Sequence, residues 1–401
     1  MESMQMTIVV INCGTSSVKI SLFTRQMKCI QEAHLQGLFS KNQRLLLDGK
    51  EIQLPYVSSY KEAIRHMLDE MHVNPSSVCA VGHRVVHGGS FFTQSVRITK
   101  DVLKKLHEVS KLAPLHNPPS LEGIEIAQKL FPKKIPEIAV FDTAFHSKLK
   151  PHVALYPIPL ELSERYHIKR YGFHGISHAY LWKKYAEHAP HMKKKAKVVT
   201  LHLGSGCSLA AIHAGVSIDT TMGFTPLDGL MMATRSGSID PAIVAYLSEQ
   251  LHIEASQVIH LLNNQSGLLG VSEETEDMRL LLASKDPKAR LAIQMFIYSV
   301  LKGVSSFVGA LGGVDALIFS GGIGEHASFI RKELAQKLSW LGVKLDLKKN
   351  EQSVSLNPSQ VEKISARSSY PEVYVIATDE NEAIASEVSS LIRFVKNIKT
   401  L

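Results

Sequence analysis

The chain has 401 residues, 45% of them hydrophobic and 20% charged, the balance of a globular protein too long for one compact core, so two domains are expected. The formal net charge is +8, but basic residues are scattered and Lys193–Lys194–Lys195 is the densest run, so no nucleic-acid platform is indicated. Cys13, Cys29, Cys79 and Cys207 form no CxxC pair, the N-terminus does not read as a signal peptide, and no apolar run reaches the length of a membrane span, which together imply a cytoplasmic protein without membrane attachment.

In chain order, residues 7–23 read as a strand pair and 60–72 as a helix. A strand runs into GHRVVHGG, where Val85 and Val86 favour extended backbone. Extended geometry sets His83 and His87 too far apart to share a metal ion easily. A helix is expected over 100–112, then a proline-rich loop, APLHNPPS, whose second proline can open a helix at 120–130. IPEIAVFDTAFH reads as a buried strand ending in polar residues, and 146–170 as irregular. RYGFHGISHAYLWKKYAEHA begins a helix, followed by the strand pair KVVTLHLGSGCSLAAIHAG. DPAIVAYLSEQL, 287–312 and 325–340 are helical by pattern, while DALIFSGGIGE and VYVIATDENEAIASEV each read strand, turn, helix.

Two segments are near-repeats: IVVINCGTSSVKISL (8–22) and LHLGSGCSLAAI (201–212). Each is an apolar run, a turn of small residues, and an alternating strand. Small turn residues let backbone N–H groups approach an anion closely. Duplicated turns facing one another would clamp a polyphosphate. IFSGGIGEHASFI adds a strand, a glycine turn and a helix N-terminus, another anion site. It is neither a Walker loop nor a dinucleotide fingerprint.

NCGTSSVK, GHRVVHGG, PLHNPP, VFDTAFH, RYGFHGISH, HLGSG, GFTPLDGL, ATRSGSIDP, DMR, GGIGEH and the TDE of 378–380 resemble, in order, the successive motifs of the acetate kinase family. The resemblance implies an α/β, duplicated two-domain actin-like (ribonuclease H-like) fold with an interdomain active-site cleft. The implied domains are 1–145, with the C-terminal helix of about 384–401 packing back on it, and a nucleotide-binding domain of 146–383. It also implies a homodimeric phosphotransferase that uses ATP and Mg2+ (or Mn2+) to phosphorylate acetate.

Phosphoryl transfer to a carboxylate must bring two anions together, so positioning and positive charge should dominate. By resemblance Arg84 contacts the substrate and Arg235 the reacting phosphoryl, while His174 stabilises the transition state. His178 and His116 are secondary candidates. Asp142 ends a strand where hydroxyl-directed kinases place a base, but acetate is already ionised near neutral pH, so an orienting role fits better. Val86, Leu115, Phe173 and Pro226 fall on the family's methyl pocket. Asn12 and Glu380 match its metal positions, and Lys19 a nucleotide-phosphate contact. On the nucleotide side the matches are His202, Gly204, Ser205, Gly206, Asp277, Met278, Arg279, Gly322, Ile323, Gly324, Glu325 and His326.

Some positions depart from the family pattern. Ser205 and His326 stand where asparagines are usual, Ala233 precedes Thr234–Arg235 in place of glycine, and Asp379 replaces the asparagine of TNE. The first two bear on nucleotide binding and leave another phosphoryl donor open. Competing readings are a propionate or butyrate kinase on the same framework and a same-fold ATPase without a carboxylate substrate.

Overall fold

A computed structural model describes residues 6–114, 116–357 and 359–398, with 393–398 described by backbone alone. The chain separates into two compact units: one runs to Ser147 and resumes at Asp379, the other is Lys148–Thr378.

Unit one is built on strands β1 (Thr7–Cys13), β2 (Ser17–Thr24), β3 (Cys29–Gln36), β4 (Arg44–Leu47), β5 (Lys50–Ile52), β6 (Val78–Val85), β7 (Val96–Arg97) and β8 (Glu137–Phe141), in the sheet order β5-β4-β3-β2-β1-β6-β8-β7. Its helices are α1 (Tyr60–Glu70), α2 (Lys100–Val109), α3 (Asn117–Leu130) and a C-terminal helix, Glu380–Ile398. The β-branched run of β1 suits a strand covered on both faces. Val9, Ile11 and Cys13 pack with Met67 of α1 and Ile126 of α3. The other face meets the C-terminal helix so closely that a Cβ on Gly82 would lie 2.7 Å from Val388 Cγ2 and 2.9 Å from Ile384 Cγ2.

Unit two carries β9 (Lys197–Leu203), β10 (Cys207–His213), β11 (Val216–Thr220), β12 (Ala316–Ser320), β13 (Val361–Lys363) and β14 (Glu372–Ile376), ordered β11-β10-β9-β12-β14-β13. Its helices are α4 (Pro151–Ala154), α5 (Leu160–Arg165), α6 (Gly175–His188), α7 (Ala242–Leu251), α8 (Ala255–Asn264), α9 (Gly267–Ser272), α10 (Met278–Ala283), α11 (Pro287–Leu311), α12 (Gly321–His326), α13 (Ser328–Lys337) and α14 (Leu347–Gln352).

The two sheets share one plan. In each, the opening strand pairs antiparallel with its hairpin partner and parallel with a strand from later in the unit: β1 with β2 and β6, β9 with β10 and β12. Thus β3-β2-β1-β6-β8 corresponds to β11-β10-β9-β12-β14. The repeated hairpins are the equivalent first two strands of a duplicated α/β unit.

Local details differ from the sequence reading. Helix α3 starts at Asn117, with proline in its first turn, rather than at 120. The helical pattern over 325–340 divides at Ala327 into α12 and α13. Short helices α4 and α5 occupy the stretch read as irregular. Helix α11, 25 residues long, is apolar enough by length and composition to cross a membrane, which the reading missed because Lys302 interrupts the run. Its Ile293, Phe296, Val300, Val304 and Phe307 are instead buried in unit two, where the helix packs on β10 and α9.

Candidate functional site

In unit one, the first hairpin sets Asn12 directly opposite Lys19. Its turn is closed by Gly14 N–H donating to Ser17 O (2.8 Å) and held by Tyr60 O–H donating to Gly14 O (2.9 Å). Thr15 and Ser16 at the tip are exposed. Lys19 Nζ lies 2.9 Å from Glu32 Oε2 on β3. Ser21 donates to the same carboxylate and accepts from Asn381 Nδ2 at 2.7 Å, which ties the start of the C-terminal helix to β2.

Parallel pairing of β6 with β8 brings Arg84 beside Asp142. Arg84 Nε donates to Asp142 Oδ1 (3.1 Å) and Nη2 to Oδ2 (2.6 Å), a two-point ion pair. Glu380 Oε2 is 3.8 Å from Arg84 Nε. Burial works against the guanidinium charge, but the Asp142 and Glu380 carboxylates outweigh it and raise the Arg84 pKa. Val86, the next residue but one, is half-buried, and His116 is half-buried before α3. Leu115 lies outside the described residues. His83 Nε2 is bonded to buried Glu137 (2.9 Å), and His87 Nδ1 accepts from Gly89 N–H (2.9 Å). Asn117 clasps the His87 backbone at both N–H and C=O, each at 2.9 Å, fixing the loop after β6.

In unit two, His174 precedes α6 with φ 54°, a left-handed conformation costly for a non-glycine residue. Its Nδ1 is 2.9 Å from Ser208 Oγ on β10. His202 on β9 stacks near it, ring centroids 4.4 Å apart, with Nδ1 held by Ser177 Oγ at 2.8 Å. Arg235 Nη1 donates to Pro226 O at 3.1 Å. A Cβ on Gly206 would lie 3.2 Å from His174 Nε2 and 3.7 Å from Arg235 Nη1, so glycine in the second turn leaves both side chains close against its backbone. Phe173, next to His174 in the chain, and Pro226, whose carbonyl holds Arg235, are both buried.

A pocket of about 590 Å³ in unit two is lined by Gly204, Ser205, Asp277, Met278, Arg279, Gly322, Ile323 and His326, with Ala233, Glu276, Leu282 and Ala327. Gly324 and Glu325 are not among these linings. Glu325 Oε1 instead accepts from Ser320 Oγ, Gly321 N–H and Thr378 N–H, anchoring the start of α12. At the rim Arg279 grips Asp277 with two nitrogens, and that hydrogen bonding draws the Asp277 carboxyl down to about 2. His326 Nδ1 donates to Val354 O at 2.6 Å. Fully buried Arg331 donates to the carbonyls of Gly324, Glu325, Asn350 and Ser353, bracing the end of α12. Glu32, Ser208, Glu325 and Arg331 make contacts that no sequence pattern announces; their partners are set by strand register and by segments distant in the chain.

Among the described residues no group of three or more His, Cys, Asp or Glu is placed to hold a metal ion. Asn12 and Glu380 offer one amide and one carboxylate, oxygen donors of the kind a hard cation takes.

The chain is 42% identical over 392 residues to an acetate kinase of Protochlamydia amoebophila, with 94% of this chain and 97% of that protein covered. Its fold matches a propionate kinase from Francisella tularensis (TM-score 0.88, 40% identity, 96% of this chain and 99% of that one). It matches an acetate kinase from Porphyromonas gingivalis equally well (TM-score 0.88, 34% identity, 96% and 100% covered). The sheet plan seen twice in the chain is therefore that of the duplicated actin-like fold. The acetokinase family model matches residues 7–386, nearly the whole chain, and with that extent and these identities the chain belongs to the acetokinase family.

Proposed function

We propose that the protein is an ATP-dependent acetate kinase that forms acetyl phosphate and ADP reversibly. The observation that carries the reading is the closeness of both His174 Nε2 and Arg235 Nη1 to Gly206, in the hairpin whose Gly204 and Ser205 line the pocket. An imidazole and a guanidinium close to one turn can supply the hydrogen bonds and charge that a phosphoryl group with charge spread over its oxygens requires.

An acetate oxygen attacks the γ-phosphorus, forming a P–O bond as the bond to the β–γ bridging oxygen breaks and ADP leaves. Arg84, held by Asp142, pairs with the acetate carboxylate. Val86, Leu115, Phe173 and Pro226 receive the methyl group. Arg235 and His174 donate to the equatorial phosphoryl oxygens. His202 and the 204–206 turn bind nucleotide phosphates, as does Lys19; Asp277, Met278, Arg279 and the 322–326 segment contact the nucleoside. Asn12 and Glu380 would hold magnesium, which when bound would neutralise phosphate charge.

The propionate kinase likeness leaves a one-carbon-longer acid as the second reading, because a methylene in an apolar pocket discriminates by only about 1–3 kcal/mol. A homodimer is also proposed. Helix α7 has no buried residue although Ile243, Tyr246 and Leu251 lie on it, and Leu291, Met295 and Tyr298 form an exposed apolar stripe on α11. The free thiols of Cys13, Cys29, Cys79 and Cys207 suit a reducing cytoplasm. A hydroxamate assay for acetyl phosphate with ATP, GTP and pyrophosphate as donors tests the reading: product with ATP supports it, and product only with pyrophosphate refutes the donor assignment. Sedimentation velocity tests the dimer.

A further inference from the structure

Behind His174 runs a chain of hydrogen-bonded hydroxyl and imidazole groups sealed inside unit two. Thr200 on β9, Ser208 on β10 and His178, one turn along α6 from His174, are each 0% exposed. Thr200 Oγ1 is 2.7 Å from His178 Nδ1, His178 Nε2 is 2.8 Å from Ser208 Oγ, and Ser208 Oγ is 2.9 Å from His174 Nδ1. We propose that Thr200, His178 and Ser208 are positioning residues that fix His174 as a neutral Nε2–H donor, a role resting on the reading that His174 touches the transferring phosphoryl.

The argument is proton counting. Each hydroxyl has one proton, and each neutral imidazole has one. Ser208 sits between two ring nitrogens and can donate to only one of them, so it must accept from the other. Two orders follow. In the first, Thr200 donates to His178 Nδ1, His178 Nε2–H donates to Ser208, and Ser208 donates to His174 Nδ1, leaving the His174 proton on Nε2. In the second, every bond reverses and the His174 proton lies on Nδ1.

The end of the chain decides between them. In the reversed order the Thr200 hydroxyl receives a proton from His178 and must send its own elsewhere. The acceptor available is Ala210 O at 3.5 Å, well beyond the ordinary O–H···O range of about 2.5–3.0 Å. A buried hydroxyl proton without a proper acceptor is costly. The first order gives each of the three donors behind His174 an acceptor at 2.7–2.9 Å and leaves only the His174 Nε2 proton for the phosphoryl group. Its outcome is an Nε2–H beside the Gly206 turn, which Arg235 also borders, held by β9 and β10 and needing no reorganisation during transfer.

The test reads the tautomer directly. Enzyme labelled with 15N in its imidazole rings is examined by NMR, and the His174 signals are identified as those missing in His174→Gln. The proposal expects a protonated Nε2 and a bare Nδ1 in the wild type. Thr200→Val and Ser208→Ala should lower kcat on the order of 10-fold while both KM values stay within about twofold, and Thr200→Ser and Ser208→Thr should restore it. A wild-type His174 protonated at Nδ1, or Thr200→Val indistinguishable from Thr200→Ser, overturns the proposal. Undiminished turnover in His174→Ala would instead remove His174 from the chemistry and leave the tautomer result standing.

Discussion

Arg84 on β6 and Asp142, just past the end of the neighbouring parallel strand β8, are joined at two points, Nε to Oδ1 at 3.1 Å and Nη2 to Oδ2 at 2.6 Å. Asp142 is 1% exposed, and its carboxylate meets this guanidinium with both oxygens. On the proposed reading a carboxylate so engaged orients Arg84, since an ionised acetate has no proton to give it. Asp142→Asn should therefore lower kcat/KM for acetate by roughly 10–100-fold, the size of a lost charge-assisted hydrogen bond, without removing an ionisation from the pH profile. Steady-state kinetics against pH checks this. Restoration of activity by small exogenous bases would assign Asp142 a proton-transfer role instead.

Removing either arginine should cost far more. Arg84→Ala and Arg235→Ala are each expected to cut turnover by about 10³-fold or more with unchanged circular dichroism, and Arg84→Ala should also raise the acetate KM. Gly206→Ala probes the same locus, since the new Cβ would lie 3.1 Å from His174 Cε1. It should lower kcat by roughly 10-fold while the ATP KM changes little. Wild-type kcat in Gly206→Ala would contradict the placing of the transferring phosphoryl group beside this turn.

The pocket residues that depart from the family pattern make a separate prediction. Serine is short, and the His326 ring is already bonded through Nδ1 to Val354 O. Hydrogen bonds to the nucleotide should be weaker by about 0.5–1.5 kcal/mol at each position, partly recovered through water. Ser205→Asn with His326→Asn should tighten ATP binding in calorimetry and leave the acetate KM nearly unchanged. Weaker ATP binding in the double variant would mark both residues as improvements to the nucleotide site.

Much of the fold was legible in the sequence because the two hairpins announce themselves locally: apolar run, small-residue turn, alternating strand. Less was legible where long-range register decides. Asp142 meets Arg84 only through the pairing of β6 with β8, and Ser208 reaches both His174 and His178 only because β10 lies on β9 beneath α6. Glu325 looked like part of a glycine-rich contact loop, yet three donors from β12, α12 and Thr378 claim one of its oxygens. The break at Ala327 is hidden in the sequence because the apolar pattern runs through it.

Asp379 gives a stability prediction with a definite sign. Burial raises its carboxyl above the ordinary aspartate value, with Glu382 and Glu32 adding to the shift against Lys19 and the Glu382 N–H. A folded-state pKa above the unfolded one means that the folded state binds more protons in the window between them, so stability is lost as pH rises through it. An asparagine side chain at this position would keep the cap on Glu382 N–H without the charge. Asp379→Asn should thus be more stable than wild type at pH 7 in urea unfolding, with the gain shrinking towards pH 4. A loss of stability at pH 7 would show that the charge itself is needed there.

The most direct test of the central claim is whether acetate receives the γ-phosphoryl group. Purified protein with ATP, Mg2+ and acetate, propionate or butyrate is followed by 31P NMR, with initial rates read as ADP release. The account predicts an acetyl phosphate resonance appearing in step with ADP, ADP release dependent on added acetate, and the highest kcat/KM for acetate among the three acids. Steady ATP hydrolysis to inorganic phosphate, indifferent to acetate and without an acyl phosphate signal, would contradict it.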